Sequence, residues 1–256
     1  MDYWVEWLRN AEDVLKYIRE TQIGNIDRAA AIIASSISKK HVCYLFGSGH
    51  AVIPVMEMFP RYGSFLGFIP IVDTALSTFY RIVGDLGYPQ FDYVENAPGY
   101  GERIVENYRV HEEDCGVVFS HSGVTVVSVD VALALKSRGA KVIAVTSLRH
   151  SNAVEAKHPS GLKLHQIADV TIDTGVPLGD TSIKVEELGS YVGPLSTLAF
   201  VIIANLLLLK TLEKLVSIGF KPAILPVRRL DPEADTKMSE ILREYRKLLA
   251  THLNYY

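Results

Sequence analysis

Gly116-Val-Val-Phe-Ser-His-Ser-Gly123, continued by Val124-Thr-Val-Val-Ser-Val-Asp-Val-Ala-Leu-Ala-Leu-Lys-Ser-Arg-Gly139 and Lys141-Val-Ile-Ala-Val-Thr146, decides the fold of this chain. An apolar run of strand length empties into a Ser-rich turn. A helical pattern from Val126 to Lys136 follows, Gly139 stops it after Arg138, and a second apolar run begins at Lys141. Strand, turn, helix and strand within about thirty residues is the span of one right-handed βαβ crossover. The same junction occurs earlier, where Val42-Cys-Tyr-Leu-Phe46 runs into Gly47-Ser-Gly-His50. Turns of this kind place backbone N–H groups and hydroxyls at a helix N-terminus, where the partial positive charge favours a phosphate or carboxylate. Two of them predict a phosphorylated ligand held at the strand ends.

Outward from these junctions, strands are expected at 42–46, 69–73, 116–119, 141–146 and 169–173. Helical patterns fill 49–60, 100–110, 125–138 and 151–157. Alternating strand and helix means a parallel α/β sheet. Residues 3–37 carry helical spacing with Gly24 as the expected break, which reads as an N-terminal helical hairpin. A polar, Gly- and Pro-bearing loop is expected over 174–180. Leu198 to Leu209 is apolar but falls short of the about 20 residues that span a bilayer, with Asn205 inside it and Lys210 after it. A helix apolar on nearly every side is buried in the core or in a subunit interface, and the interface is the expectation here. Asp231 to Tyr256 reads as a charged amphipathic helix with Pro232 in its first turn, lying on the surface or docked on a neighbour. No internal domain boundary is visible, so 1–256 is expected to form one domain.

With 256 residues, 48% hydrophobic and 21% charged, the chain can bury a full core. Its net charge of -3 and lack of a Lys/Arg-rich run argue against a nucleic-acid surface. Cys43 and Cys115 both lie beside strand patterns and read as buried reduced thiols, too few for a Cys-rich metal site. The N-terminus carries charge throughout and lacks the form of a secretory signal, so a cytoplasmic protein without membrane contact is expected. No Gly-Lys-Ser/Thr sequence of the Walker type is present, which argues against nucleotide triphosphate hydrolysis.

Six segments in order resemble the sugar isomerase (SIS) family of phosphosugar-binding domains: Phe46 to His50, Ser120 to Gly123, Val145 to Ser151, His158 to Gly161, Pro177 to Asp180 and Val192 to Thr197. The resemblance covers about 25–220, and its nearest look-alikes are the stand-alone SIS-domain proteins regarded as phosphosugar isomerases. It implies an α/β three-layer sandwich with a five-stranded parallel sheet. The N-terminal helices (1–37) and C-terminal helix (231–256) would then pack a homodimer or homotetramer with sites near subunit interfaces. It further implies a sugar phosphate held by Ser/Thr-rich turns, with Ser48 lining the first loop, Ser120 and Ser122 binding phosphate, and Thr125 helping from the helix start. His121 stands where the family usually has Asn, and Val124 and Thr125 stand where the nearest group tends to have Arg and Asn.

The binding set expected on these grounds is Gly47, Ser48, Gly49, Ser120, His121, Ser122, Gly123, Thr125, Thr146, Ser147, His150 and His158. Neutral hydroxyls and N–H groups suit a phosphate because they satisfy its oxygens while the helix dipole meets its charge. Glu57 lies on the helix leaving the first loop among apolar neighbours, with Arg61 at i+4. A generic Glu/Arg spacing reads as a surface pair, but this setting suggests a partly buried proton carrier, and phosphoheptose isomerases and the muramic acid phosphate etherase resemble this stretch with an acid/base Glu. His50, inside the Gly-rich loop, is the candidate for opening the sugar ring or moving a proton. Glu102, Glu106 and Asp180 compete for a second proton-transfer role without a basis for choice. No cofactor is expected, and no tight His or carboxylate spacing argues for a metal. The leading expectation is therefore an aldose–ketose isomerase acting on a sugar phosphate. The alternatives are a non-catalytic phosphosugar-binding regulatory module and an amino-sugar-phosphate lyase or etherase.

Overall fold

A computed structural model describes residues 2–77, 81–85 and 87–254. Its centre is a five-stranded parallel sheet of β1 (Cys43–Gly47), β2 (Phe68–Ile71), β3 (Cys115–Phe119), β4 (Lys141–Thr146) and β5 (Val170–Asp173), in the order β2-β1-β3-β4-β5. The strands read as apolar runs because both faces are covered. Their alternating side chains feed two cores. Cys43, Leu45, Val117, Phe119, Ile143 and Ile172 point to one face, and Tyr44, Phe46, Ile69, Val118, Val142 and Ala144 point to the other.

The first face is covered by α1 (Tyr3–Tyr17), α2 (Ile23–Ser38), α3 (Val52–Met58) and the helix predicted from Leu198 to Leu209. The second is covered by α4 (Thr74–Ser77), α6 (Tyr100–Val105), α7 (Val126–Ser137) and α9 (Leu164–Ile167), with Val94 of α5 (Tyr88–Glu95) packed against them, while the short α8 (Leu148–Ala153) follows β4. The three-layer sandwich expected from the sequence is thus the observed architecture. Cys43 and Cys115 are register partners on adjacent strands, both buried and unbridged.

Two expectations change in detail. Gly24 does not break the N-terminal helix; it lies inside α2, and helical backbone runs on from α1 through a π-turn at Ile18–Gln22, so the two helices follow one another rather than fold back. The stretch after β5 is more than a loop, because Thr181–Val185 (β6) and Ser190–Pro194 (β7) pair as an antiparallel ribbon. The long apolar helix, α10 (Ser196–Ser217), buries only one face, with Ala199, Phe200, Ile203, Ala204 and Leu207 in the core and Leu209 exposed. The C-terminal α11 (Ala234–His252) packs on its own chain, where the Tyr245 ring sits 5.2 Å from Phe59 and Leu248 and Leu249 join the second core. No helix among the described residues is long and apolar enough to cross a membrane.

Candidate functional site

The sheet order places a topological switch point between β1 and β3. The connection from β1 leads to β2 on one side, while β3 leads away to β4 and β5 on the other. Open α/β sheets bind ligands in the crevice this divergence leaves at the strands' carboxyl ends. Both Gly/Ser loops leave from there, since Gly47 and Phe119 are register partners.

The first loop is shaped by its glycines. A Cβ on Gly47 would stand 2.0 Å from the Ala51 carbonyl oxygen, so only glycine lets the strand turn directly into the tight 3-10 turn at Gly49–Ala51. Ser48, buried, donates its hydroxyl hydrogen bond to the carboxylate of Glu95 at the end of α5. Burial raises the Glu95 pKa above the ordinary carboxylate value, with Ser48 opposing the rise. Gly49 and the exposed His50 line a cavity of about 430 Å³ together with Val52, Ile53, Ser77 and Arg81.

In the second loop, Ser120 Oγ accepts from Gly123 N at 3.3 Å and Ser122 Oγ accepts from Val124 N at 3.3 Å. Thr125 Oγ1 lies 3.5 Å from the first hydroxyl and 3.4 Å from the second. Three hydroxyls are thereby gathered ahead of the first turn of α7, whose N–H groups have no acceptor within the helix. Gly123 has φ +65°, and a Cβ there would meet Thr146 Oγ1 at 2.7 Å. Between the two serines, the His121 ring meets His150 edge-on with centroids 4.7 Å apart. Both His121 ring nitrogens are shielded from solvent and have no protein hydrogen-bond partner. Burial holds this imidazole neutral, lowering its pKa to about 4; Asp180 opposes the shift and His150 adds to it. Burial lowers His150 too, against the pull of Asp180, and its Nδ1 accepts from Gly179 N at 3.3 Å.

Other predicted site residues have their polar atoms engaged by protein. Thr146 Oγ1 donates to the His121 carbonyl at 3.1 Å. Ser147 caps α8, accepting from His150 N at 3.1 Å and donating to the Val176 carbonyl at 2.6 Å. These two residues brace the second loop from β4. His158 is engaged as well: its Nε2 pairs with Asp130 of α7 at 2.8 Å, and Asp130 in turn accepts from Gly101 N at 3.2 Å. Glu57 pairs with Arg61 at 2.5 Å, accepts from Asn205 Nδ2 of α10 at 3.2 Å, and is 20% exposed. It lies one helical turn beyond Ile53 on α3 but is not among the residues lining the cavity of the first loop. Of the competing acids, Asp180 caps α10 through Leu195 N, Ser196 N and Ser196 Oγ, and Glu106 pairs with Arg103. Glu102 is exposed in the first turn of α6.

Sequence reasoning missed Glu95. No local pattern marks it, because its burial and its bond to Ser48 arise between residues 47 positions apart. Among the described residues, the side chains that together could hold a metal ion are His41, Asp114 and His252. His41 and Asp114 lie just before β1 and β3, at the opposite end of the sheet from both loops.

Sheet order, switch-point crevice and paired loops define an open parallel α/β fold. The SIS domain profile matches residues 6–147, and the chain belongs to the SIS-domain family. It is 31% identical over 234 residues to the UPF0309 protein BH3325 of Halalkalibacterium halodurans, covering 91% of this chain and 94% of that protein. It is 30% identical over 246 residues to the UPF0309 protein OB3413 of Oceanobacillus iheyensis, covering 96% and 98%. Among solved structures, a phosphoheptose isomerase from Francisella tularensis superposes with a TM-score of 0.55 at 13% identity, covering 82% of this chain and 96% of that one. The phosphoheptose isomerase of Neisseria gonorrhoeae gives 0.52 at 14% identity, covering 82% and 95%. At such identities the likeness is one of fold.

Proposed function

We propose that the chain binds a phosphorylated sugar in the crevice between β1 and β3 and interconverts its aldose and ketose forms. The observation that carries this reading is the meeting, at one switch point, of a hydroxyl-lined helix start and a loop that holds a buried carboxyl group. Ser120, Ser122, Thr125 and the first-turn N–H groups of α7 take the phosphate, and Thr146 and Ser147 hold that loop in shape. His121, kept neutral by burial, leaves the phosphate charge to the helix dipole and can offer one N–H to it. The sugar carbons then extend toward the first loop and the cavity beside His50. The same fold in phosphoheptose isomerases supports a phosphosugar as the ligand class.

In the reaction, His50 moves the proton that opens the sugar ring. A carboxylate removes the proton from C2 of the open aldose, giving an enediol. The proton returns at C1 while the hydroxyl proton passes from O2 to O1, which leaves the ketose and regenerates the carboxylate. Glu95 suits this carrier role, because burial brings its pKa toward neutral pH, where general acid–base catalysis is most effective. Glu57, one helical turn beyond the cavity-lining Ile53 on α3, is the second carboxylate. Binding energy from the remote phosphate orients the reacting carbons. The chain works as a homodimer or larger homo-oligomer, in which a second copy covers the half-exposed stripe of α10 formed by Ile202, Asn205, Leu206 and Leu209 with Ile53 and Met56 of α3. Because Glu57 accepts from Asn205 of that stripe, its carboxylate lies beside the surface such a second copy covers.

A panel of aldose phosphates, followed by NMR for appearance of the ketose, tests this reading. One member should be converted, and Glu95→Gln should lower kcat by about 100-fold or more while the sugar phosphate still binds. Binding without turnover by the unaltered protein would favour the regulatory module instead. Indifference to every phosphorylated sugar would remove both.

A further inference from the structure

At the far end of the sheet, three side chains from distant parts of the chain meet around one buried carboxylate. Asp114 is 1% exposed, and its Oδ1 lies 3.2 Å from His41 Nδ1 and 3.4 Å from His252 Nε2. Donors bound to one zinc ion at about 2.0–2.1 Å with tetrahedral angles stand about 3.3 Å from one another. Both measured separations match that edge, and the three donor atoms all lie within 4.8 Å of one another.

The surroundings of each ligand also suit a metal. His252 Nδ1 lies 3.0 Å from the Leu248 carbonyl oxygen, an acceptor only, so this nitrogen carries a ring proton and Nε2 is the atom turned toward Asp114. Although His252 is 3% exposed, its Nε2 makes no hydrogen bond of acceptable geometry and stands 3.4 Å from Asp114 Oδ1. On the other histidine, Nε2 faces Glu113 at 3.8 Å, which leaves Nδ1 to turn inward. Histidines that ligate metals almost always give their second nitrogen to a carbonyl or a carboxylate, as His252 does to the Leu248 carbonyl. Asp114 is oriented in turn by Val42 N at 3.0 Å and His111 N at 2.7 Å. The position of His252 is fixed by Arg109 N, which donates to its carbonyl at 2.9 Å. A cavity of about 530 Å³ lined by His41, Leu248 and Thr251 gives access from solvent.

We propose that His41 Nδ1, Asp114 Oδ1 and His252 Nε2 form a site for a divalent cation of the zinc type, with water or the neighbouring His111 ring completing the coordination. The His111 ring centroid stands 5.6 Å from that of His41 and 5.3 Å from that of His252. The ion clips the end of α11 to the starts of β1 and β3. Its role is structural, since the strands separate it from the switch-point crevice by about 16 Å.

The test is Zn²⁺ uptake by the full-length, chelator-stripped protein in competition with a chromophoric chelator, with Co²⁺ as a spectroscopic substitute. One equivalent per chain is expected, with the visible absorption of a four-coordinate Co²⁺ site and a rise in Tm on adding zinc. His41→Gln, at a partly exposed position, and His252→Gln should each abolish stoichiometric uptake and the Tm response, with far-UV circular dichroism confirming that the variants fold. No uptake by the unaltered protein, or uptake unchanged in both variants, overturns the proposal. Isomerase activity does not enter the readout, so this result and the fate of the sugar-phosphate reading are independent.

Discussion

His121 shows at the scale of one residue how burial sets chemistry. Its ring lies inside a phosphate-loop candidate without a hydrogen-bond partner, and its pKa falls to about 4. In the unfolded chain the same imidazole titrates at about 6.5. Between these values the unfolded chain binds a proton that the native chain refuses, so stability is lost as pH falls from about 6.5 toward 4 and is constant above that window. One proton of difference gives a slope of at most about 1.4 kcal/mol per pH unit. Urea melts at pH 7 and pH 5 should therefore show a smaller loss in His121→Asn than in the unaltered protein; equal losses would mean that His121 is hydrated in the native state. Gly123 makes a steric prediction beside it. With φ +65° and Thr146 Oγ1 only 2.7 Å from where a Cβ would stand, Gly123→Ala should cost about 2 kcal/mol in the same melts and weaken sugar-phosphate binding.

Elements were legible from sequence in proportion to how uniformly they are buried. The strands β1, β3 and β4 are covered on both faces and read as plain apolar runs, and the Gly/Ser turns after β1 and β3 announce themselves by composition. The ribbon of β6 and β7 was not legible, because Thr181, Ser182, Lys184, Ser190 and Tyr191 leave it polar and largely exposed. Gly24 misled because helical backbone tolerates a glycine where neighbouring packing holds the helix, as Ile26, Ala29 and Ile33 do. The histidines divide along the same line: His50 keeps its place in the first loop, whereas His158 is bound to Asp130 through a contact that sequence spacing does not show. The cap of α10 belongs to this scale as well. Asp180 accepts from Leu195 N, Ser196 N and Ser196 Oγ, so Asp180→Ala should lower stability by about 1–2 kcal/mol in denaturant melts. An unchanged midpoint would show that solvent satisfies the start of α10 equally well.

In the whole molecule, the sheet order carries both the crevice and the oligomer argument. One face of α10 closes the core, while Ile202, Leu206 and Leu209 remain partly or fully exposed beside Ile53 and Met56 of α3. A self-associating chain should appear by light scattering as a dimer or tetramer, and Ile202→Asp with Leu206→Lys should shift it to monomer; an unaltered protein that is monomeric at working concentration removes the second copy from the account. Because Glu57 borders this stripe, the same double variant should also lower turnover. The fold brings both Gly/Ser loops to the crevice at the switch point, and sugar-phosphate recognition there is the central claim. It is tested most directly by thermal unfolding with matched pairs of phosphorylated and unphosphorylated sugars, on the unaltered protein and on Ser120→Ala with Ser122→Ala. A cognate sugar phosphate at 100 times its Kd should stabilise the unaltered protein by about 2.7 kcal/mol, its unphosphorylated partner should do nothing, and the double variant should lose the response. Equal responses to both members of every pair, or a full response retained by the double variant, would contradict the account.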